Sequence, residues 1–469
     1  MSLRLVRIAA VFLAAATILS ACEQLDELTQ GWFTPSGRLS KLRGERISVM
    51  AMDESLKPDE TLANTAVVLP PPYRNNDWTN PGGYPSNAMY HLEASSSLQE
   101  IWAQQAGKGS DTDSRLTAPP IVAGGVIYVL DAAAHIFAFD AKNGAPQWDK
   151  SLAPQSDSNL VNTLTLGMIG ENTSVDPTKG AGGGIAFDDG KLFVSTGFGD
   201  VVAMTSNGRK VLWKTNLGVP IINAPVASGG RVFVSTQDNH FFALAQTDGR
   251  KLWDHQGISE SAGILESTSA AVAGEFVLAP YTSGELFALR VQNGRPAWND
   301  MLTSPGNTTA LSELDDIAGR PVVDRDMVFA ISHSGLMAAI TLNTGDRAWS
   351  RDIGGIQTPW VAGDFIYVIS TDQQLLCLTR KEGRVKWMHQ LPRWGDEHEK
   401  SDPIVWAGPV LVSDRLIVVS SQGYAESISP YTGKLLGRMQ IPAAANIAPV
   451  VANDTLYLWT NDAQLIALR

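Results

Sequence analysis

The chain has 469 residues, a formal charge of −12 at pH 7 and two cysteines. An acidic chain with no clustered run of Lys and Arg is excluded as a nucleic-acid binder, because phosphate recognition needs a grouped positive surface. Two cysteines, Cys22 and Cys377, allow one disulfide at most, and the leader described next removes that one.

Residues 1–21 read as a lipoprotein signal peptide, outside the fold. Arg4 and Arg7 give a positive start, an apolar run with Thr17 as its one polar residue covers 8–18, and Leu19-Ser20-Ala21-Cys22 follows. The run is short for a bilayer span and fits the apolar core of a signal peptide. The tetrapeptide resembles the lipobox of bacterial lipoproteins, so Cys22 is the expected lipidation site and new N-terminus. An ordinary signal peptide with a chance Cys is the plainer alternative. Cleavage removes Arg4, Arg7 and no acid, taking the charge from −12 to −14. Acyl chains contribute about 0.8 kcal/mol per buried CH₂, enough in a multiply acylated Cys to hold a domain on a membrane. Glu23 stands where Asp would retain a lipoprotein at the inner membrane, which points outward. Cys377 then lacks a partner and is expected as a small buried hydrophobe.

Residues 22–97 are expected to be the lipidated Cys and an extended tether, partly ordered on the domain that follows. The stretch is rich in Pro, Asn and Gly around 69–85, and its aromatics Trp32, Phe33, Tyr73 and Trp78 are candidates for docking.

From 98 onward a repeat governs the chain. Residues 138–148 read Ala-Phe-Asp-Ala-Lys-Asn-Gly-Ala-Pro-Gln-Trp: a strand, an Asn-Gly turn, then a Trp. Asn-Gly is expected to supply the positive φ angles of a tight hairpin turn. The ending returns at Gly208 and Trp213, Gly249 and Trp253, Gly294 and Trp298, Gly345 and Trp349, and Gly383 and Trp387; at Gly433 the Trp is replaced by Gly437. Recurrence every ~40–50 residues is the signature of propeller blades. Openings such as Pro120-Ile121-Val122-Ala123 number eight against seven such endings, and the eighth repeat stops at Arg469. The unmatched Trp102 lies in a strand with no opening before it. The expectation is an all-β, eight-bladed β-propeller of four-stranded antiparallel blades over 98–469, closed by pairing N- and C-terminal strands. Trp102, Trp148, Trp213, Trp253, Trp298, Trp349 and Trp387 are its structural blade tryptophans.

No catalytic constellation stands out. The seven His residues are dispersed, none with zinc-ligand spacing. Asp396-Glu397-His398-Glu399 reads as a solvated loop. Nucleophile elbows and phosphate loops are absent. The expectation is no catalytic residue, no metal, no cofactor and no enzyme activity.

The blade ending resembles that of the pyrroloquinoline-quinone-type propellers, whose pattern Ala-x-Asp-Ala-x-x-Gly-x-x-x-Trp is followed at 138–148. One branch of that family comprises quinoprotein dehydrogenases, which bind quinone with calcium and typically carry adjacent cysteines. The other is the BamB family of lipoproteins of the outer-membrane β-barrel assembly machinery. The lipobox, the short mature chain and the missing Cys pair favour the second; a periplasmic quinoprotein-like enzyme is the alternative. This resemblance implies a lipid-anchored scaffold on the periplasmic side of the outer membrane that binds BamA and serves unfolded outer-membrane proteins. It further implies two partner-binding loops. Glu313, Asp315 and Asp316 lie in one, with Asp316 matching a family Asp and Ala318 departing from the pattern. Ile264, Leu265 and Glu266 stand loosely in the other.

Overall fold

The computed structural model describes residues 56–469 apart from 113, 155–181, 260–267 and 304–314. Eight four-stranded antiparallel sheets succeed one another as blades. Blades 1 to 7 occupy 121–151, 183–216, 226–256, 271–301, 322–351, 360–390 and 406–440. Blade 8 takes Val450–Ala452, Thr455–Trp459 and Gln464–Leu468 from one end of the chain and its outermost strand, Glu100–Gln105, from the other. Trp102 pairs with Ala467 in that ladder. The expected fold and its closure are therefore what the chain adopts.

Burial explains the strand sequences. Inner strands lie between neighbouring blades and read as continuous apolar runs, as in the fully buried Phe365–Ile369. Outermost strands keep one wet face and alternate, as in Lys251–Gln256.

The Asn-Gly turn differs from expectation. Of its two residues only Gly144 has positive φ, at 72°, so this is not the two-residue turn with both central residues left-handed. Asp140 makes the difference: its Oδ1 accepts the N–H groups of Lys142 at 2.9 Å and Asn143 at 3.1 Å, holding a longer turn. Asn143 Oδ1 in turn accepts the Ala145 N–H. Asn207, Asp248 and Asn293 accept from the residue after the Gly in the same way.

Each turn glycine also receives the tryptophan of the preceding blade. A Cβ on Gly144 would lie 2.8 Å from the Trp102 ring, on Gly249 2.4 Å from Trp213, and on Gly433 2.6 Å from Trp387. Five indoles donate to a backbone carbonyl of the next blade: Trp213 to Gln246, Trp253 to Val291, Trp298 to Leu342, Trp349 to Arg380 and Trp387 to Pro430. The contact explains the one missing Trp. Blade 7 has Gly437 at the Trp position of its outermost strand, and its successor, blade 8, is the blade whose third and fourth strands come from opposite chain ends. There is no turn there, hence no glycine to receive an indole.

Residues 73–97 do more than tether. Between Asn75 and Ser95 the chain makes a full circuit of the ring, touching the innermost strand region of every blade in order. Asn75 Nδ2 donates to Val451 O (3.0 Å) in blade 8. Trp78 exchanges two backbone bonds with Val122 in blade 1, and Thr79 O accepts from Phe187 in blade 2. Asn80 Oδ1 accepts from Ala227 in blade 3. Pro85 O and Ser86 O accept from Val272 and Val323 in blades 4 and 5. Tyr90 O accepts the Trp360 indole in blade 6, and Leu92 bonds to Leu411 and Ser413 in blade 7. The Ser95 N–H then returns to Asp454 O in blade 8. Innermost strands have one unpaired edge each, and this segment satisfies groups that would otherwise face the axis.

Candidate functional site

Antiparallel blades place successive turns on opposite faces of the ring. First-to-second-strand turns share one face with the circling segment, as the bond from Gly124 N to Asp77 Oδ1 shows. The opposite face carries the described ends of the loops that enter each blade; the stretches between blades are long at 152–182, 257–270 and 302–321.

The described ends of two of these loops converge. The Ile258 N–H, leaving blade 3, donates to Glu285 Oε2 at 2.7 Å. The Ile317 N–H, entering blade 5, donates to Tyr281 O, and Asp315 lies against Gly284. Residues 281–285 are a single turn of blade 4, between Phe276–Pro280 and Glu285–Arg290. One turn thus holds both loop ends.

That turn is closely bonded. Buried Glu285 also accepts from the Ser283 hydroxyl at 2.8 Å. The Tyr281 hydroxyl and His255 Nδ1 are 2.7 Å apart, and the Phe287 ring packs on His255 at 4.5 Å. Burial pushes the Tyr281 phenol well up and holds His255 below the ordinary histidine range, so both are uncharged at neutral pH.

Among the expected partner residues, Ile264, Leu265, Glu266 and Glu313 lie outside the described residues, as does Cys22. Asp315 is partly exposed. Asp316 is only 3% exposed and its carbonyl accepts the His333 N–H, so it packs under the surface. The cause is its position: the chain is already turning into blade 5, and neighbouring Ile317 is fully buried. Ile258, 52% exposed, was not foreseen; its signal is an aliphatic residue after Gly257 with no blade position to fill.

The ring axis holds a cavity of about 740 Å³. Its walls are blade entrances such as Pro119, Arg320, Thr358, Pro409 and Pro449, and the circling segment lends it Trp78, Pro81, Gly82 and Asn87. Asp111 is the one carboxylate among the lining residues. Among the described residues no three His, Cys, Asp or Glu side chains gather as metal ligands. Cys377 is buried and its thiol pKa is pushed up by that burial, which leaves it unreactive. Residues 397–400 are an exposed tip between the short strands Trp394–Asp396 and Ser401–Pro403.

Comparison with known proteins bears on the same region. The family described as outer membrane protein assembly factor BamB matches residues 85–180 and 170–389. A BamB of Moranella endobia is 22% identical over 373 residues, covering 79% of this chain and 90% of that protein. One from Shewanella oneidensis is 24% identical over 379 residues, covering 80% and 89%. The crystal structure of BamB from Moraxella catarrhalis superposes with a TM-score of 0.63 at 17% identity, over 79% of this chain and 99% of that one. A quinohemoprotein alcohol dehydrogenase from Comamonas testosteroni gives 0.60 at 11% identity, over 87% and 82%. These two superpositions speak to the fold alone.

Proposed function

Since the chain belongs to the BamB family of outer membrane protein assembly factors, we propose that it is a non-enzymatic scaffold that binds BamA and assists the folding and insertion of outer-membrane β-barrel proteins. Cys22 holds it, by its lipid, on the periplasmic side of the outer membrane. The observation that carries this reading is the meeting of two loop ends on the 281–285 turn. Ile258 and Asp315 there combine an exposed apolar group with a charged one, the usual make-up of an interface centre and rim. The work is non-covalent: a rigid face fixes the orientation of the partner's domain. Exposed outer strand edges offer unfolded barrel segments a place to pair.

The quinoprotein reading has less support. Calcium takes about 6–8 oxygen ligands, carboxylates prominent among them, and the lining of the axial cavity includes one carboxylate, Asp111.

Affinity capture from detergent-solubilised membranes tests the proposal. Wild-type protein retains BamA. Ile258→Ala combined with Leu265→Ala loses it by roughly thirtyfold or more, the usual cost of a central anchor. Capture at wild-type yield by the double variant would move the interface elsewhere on the ring.

A further inference from the structure

We infer that residues 75–97 are the clasp that holds the ring shut, replacing at the seam between blades 7 and 8 the tryptophan contact found at the other seams. Three observations combine.

The first is the location of the gap. Every other blade presses a tryptophan onto the turn glycine of its successor, from Trp102 on Gly144 round to Trp387 on Gly433. Gly437 occupies the equivalent place in blade 7, and a Cβ there would meet nothing within 4 Å.

The second is that the circling segment is most densely bonded at this seam. Ser413, in the first turn of blade 7, accepts the Ala94 N–H on its hydroxyl at 2.9 Å and donates that hydroxyl to Ala94 O at 2.8 Å. Arg415 of the same blade donates to Ser95 O and Ser96 O, both at 2.9 Å. One residue onward the chain is bound to blade 8: Ser95 N to Asp454 O, and the Ser97 hydroxyl to Arg469 O. Four consecutive residues therefore bridge the two blades.

The third is that the start of the circuit is fixed to the same place. Asn75 bonds Val451 and Asn453 of blade 8, and Arg74 pairs with Asp454 at 3.3 Å. Buried His91 ties Pro70, just ahead of the segment, to blade 7: its Nδ1 is 2.7 Å from Pro70 O, and its Nε2 accepts the Asp414 N–H at 3.0 Å. Both ends of the loop thus overlap at the seam that lacks its indole, as the ends of a strap overlap at a buckle.

Two experiments on the full-length chain decide the matter. A specific protease site inserted between Ser97 and Leu98 allows the folded protein to be cut there. The clasp is held by bonds to all eight blades, so both pieces should co-elute on gel filtration; release of the N-terminal piece from a ring that stays monodisperse would overturn the inference. Separately, Ser413→Ala with Arg415→Ala removes the blade 7 side of the clasp. Amide exchange should quicken by roughly tenfold or more in 406–440 and in Glu100–Gln105 while blades 2 to 4 keep wild-type protection. Unchanged exchange, or a rise shared equally by all blades, would show that the segment merely lies on the ring.

Discussion

Trp298 Nε1 donates to the carbonyl of Leu342 at 2.7 Å, across the seam between blades 4 and 5. The indole also covers Gly345, the glycine of the same turn. Trp298→Ala removes a buried ring and orphans that carbonyl, so stability should fall by about 3–5 kcal/mol. Trp298→Phe should cost less, because part of the packing survives. Denaturant midpoints of the two variants check the order.

Gly208 and Gly190 separate two reasons for glycine. Both have positive φ, 70° and 73°. A Cβ on Gly208 would lie 2.5 Å from the Trp148 ring, whereas on Gly190 it would meet nothing within 4 Å. Gly190→Ala should therefore cost only the left-handed backbone term, about 1–2 kcal/mol. Gly208→Ala adds overpacking of about 1–3 kcal/mol. Equal melting temperatures for the two would contradict the seam contact.

Deleting 98–103 takes most of the outermost strand from blade 8 and bares much of the edge of Gln464–Leu468. An unpaired, apolar edge recruits other chains. The deleted protein is expected to scatter light increasingly with concentration, while the intact chain remains clear.

His255 makes stability depend on pH. Burial holds its folded pKa below the ordinary value of 6.5, so the unfolded chain binds a proton where the fold does not. Its contribution is complete above 6.5 and is lost as the pH falls from there toward the folded value. Melting temperatures between about pH 7.5 and about pH 5.5 should decline less in His255→Gln than in wild type. Parallel curves would assign the slope to other groups.

The proposed lipid anchor is Cys22. Cys22→Ser should yield a folded protein that leaves the membrane pellet. A high-salt wash, which strips electrostatic attachment, distinguishes lipid from charge. Retention of the variant after that wash would refute the lipobox assignment.

The ring was legible in the sequence because both halves of each seam contact recur. A Trp in one blade needs a Gly in the next, and the residue before that Gly is Asn, Asp or Thr in most repeats since its side chain caps the turn. The circling segment left no such trace. Its partners are mostly backbone groups such as Val122, Phe187 and Val272, which carry no residue code, and its own contacts have no period. The burial of Asp316 was not legible for a related reason. Motif resemblance locates a residue along the chain but not its depth, and depth here is set by Ile317 packing beside it.

Because residues 75–94 visit each blade once and in order, that stretch works as a tape measure for the ring. A propeller repeat brings its own Trp and its own receiving Gly, so duplication of one blade would conserve every seam contact. The tape would then fall one blade short, leaving Ser413 and Asp454 out of its reach. Changes in blade number are thus open to this lineage only when the segment ahead of the ring lengthens in step, which makes the length of a non-repetitive stretch the record of how many repeats it encloses.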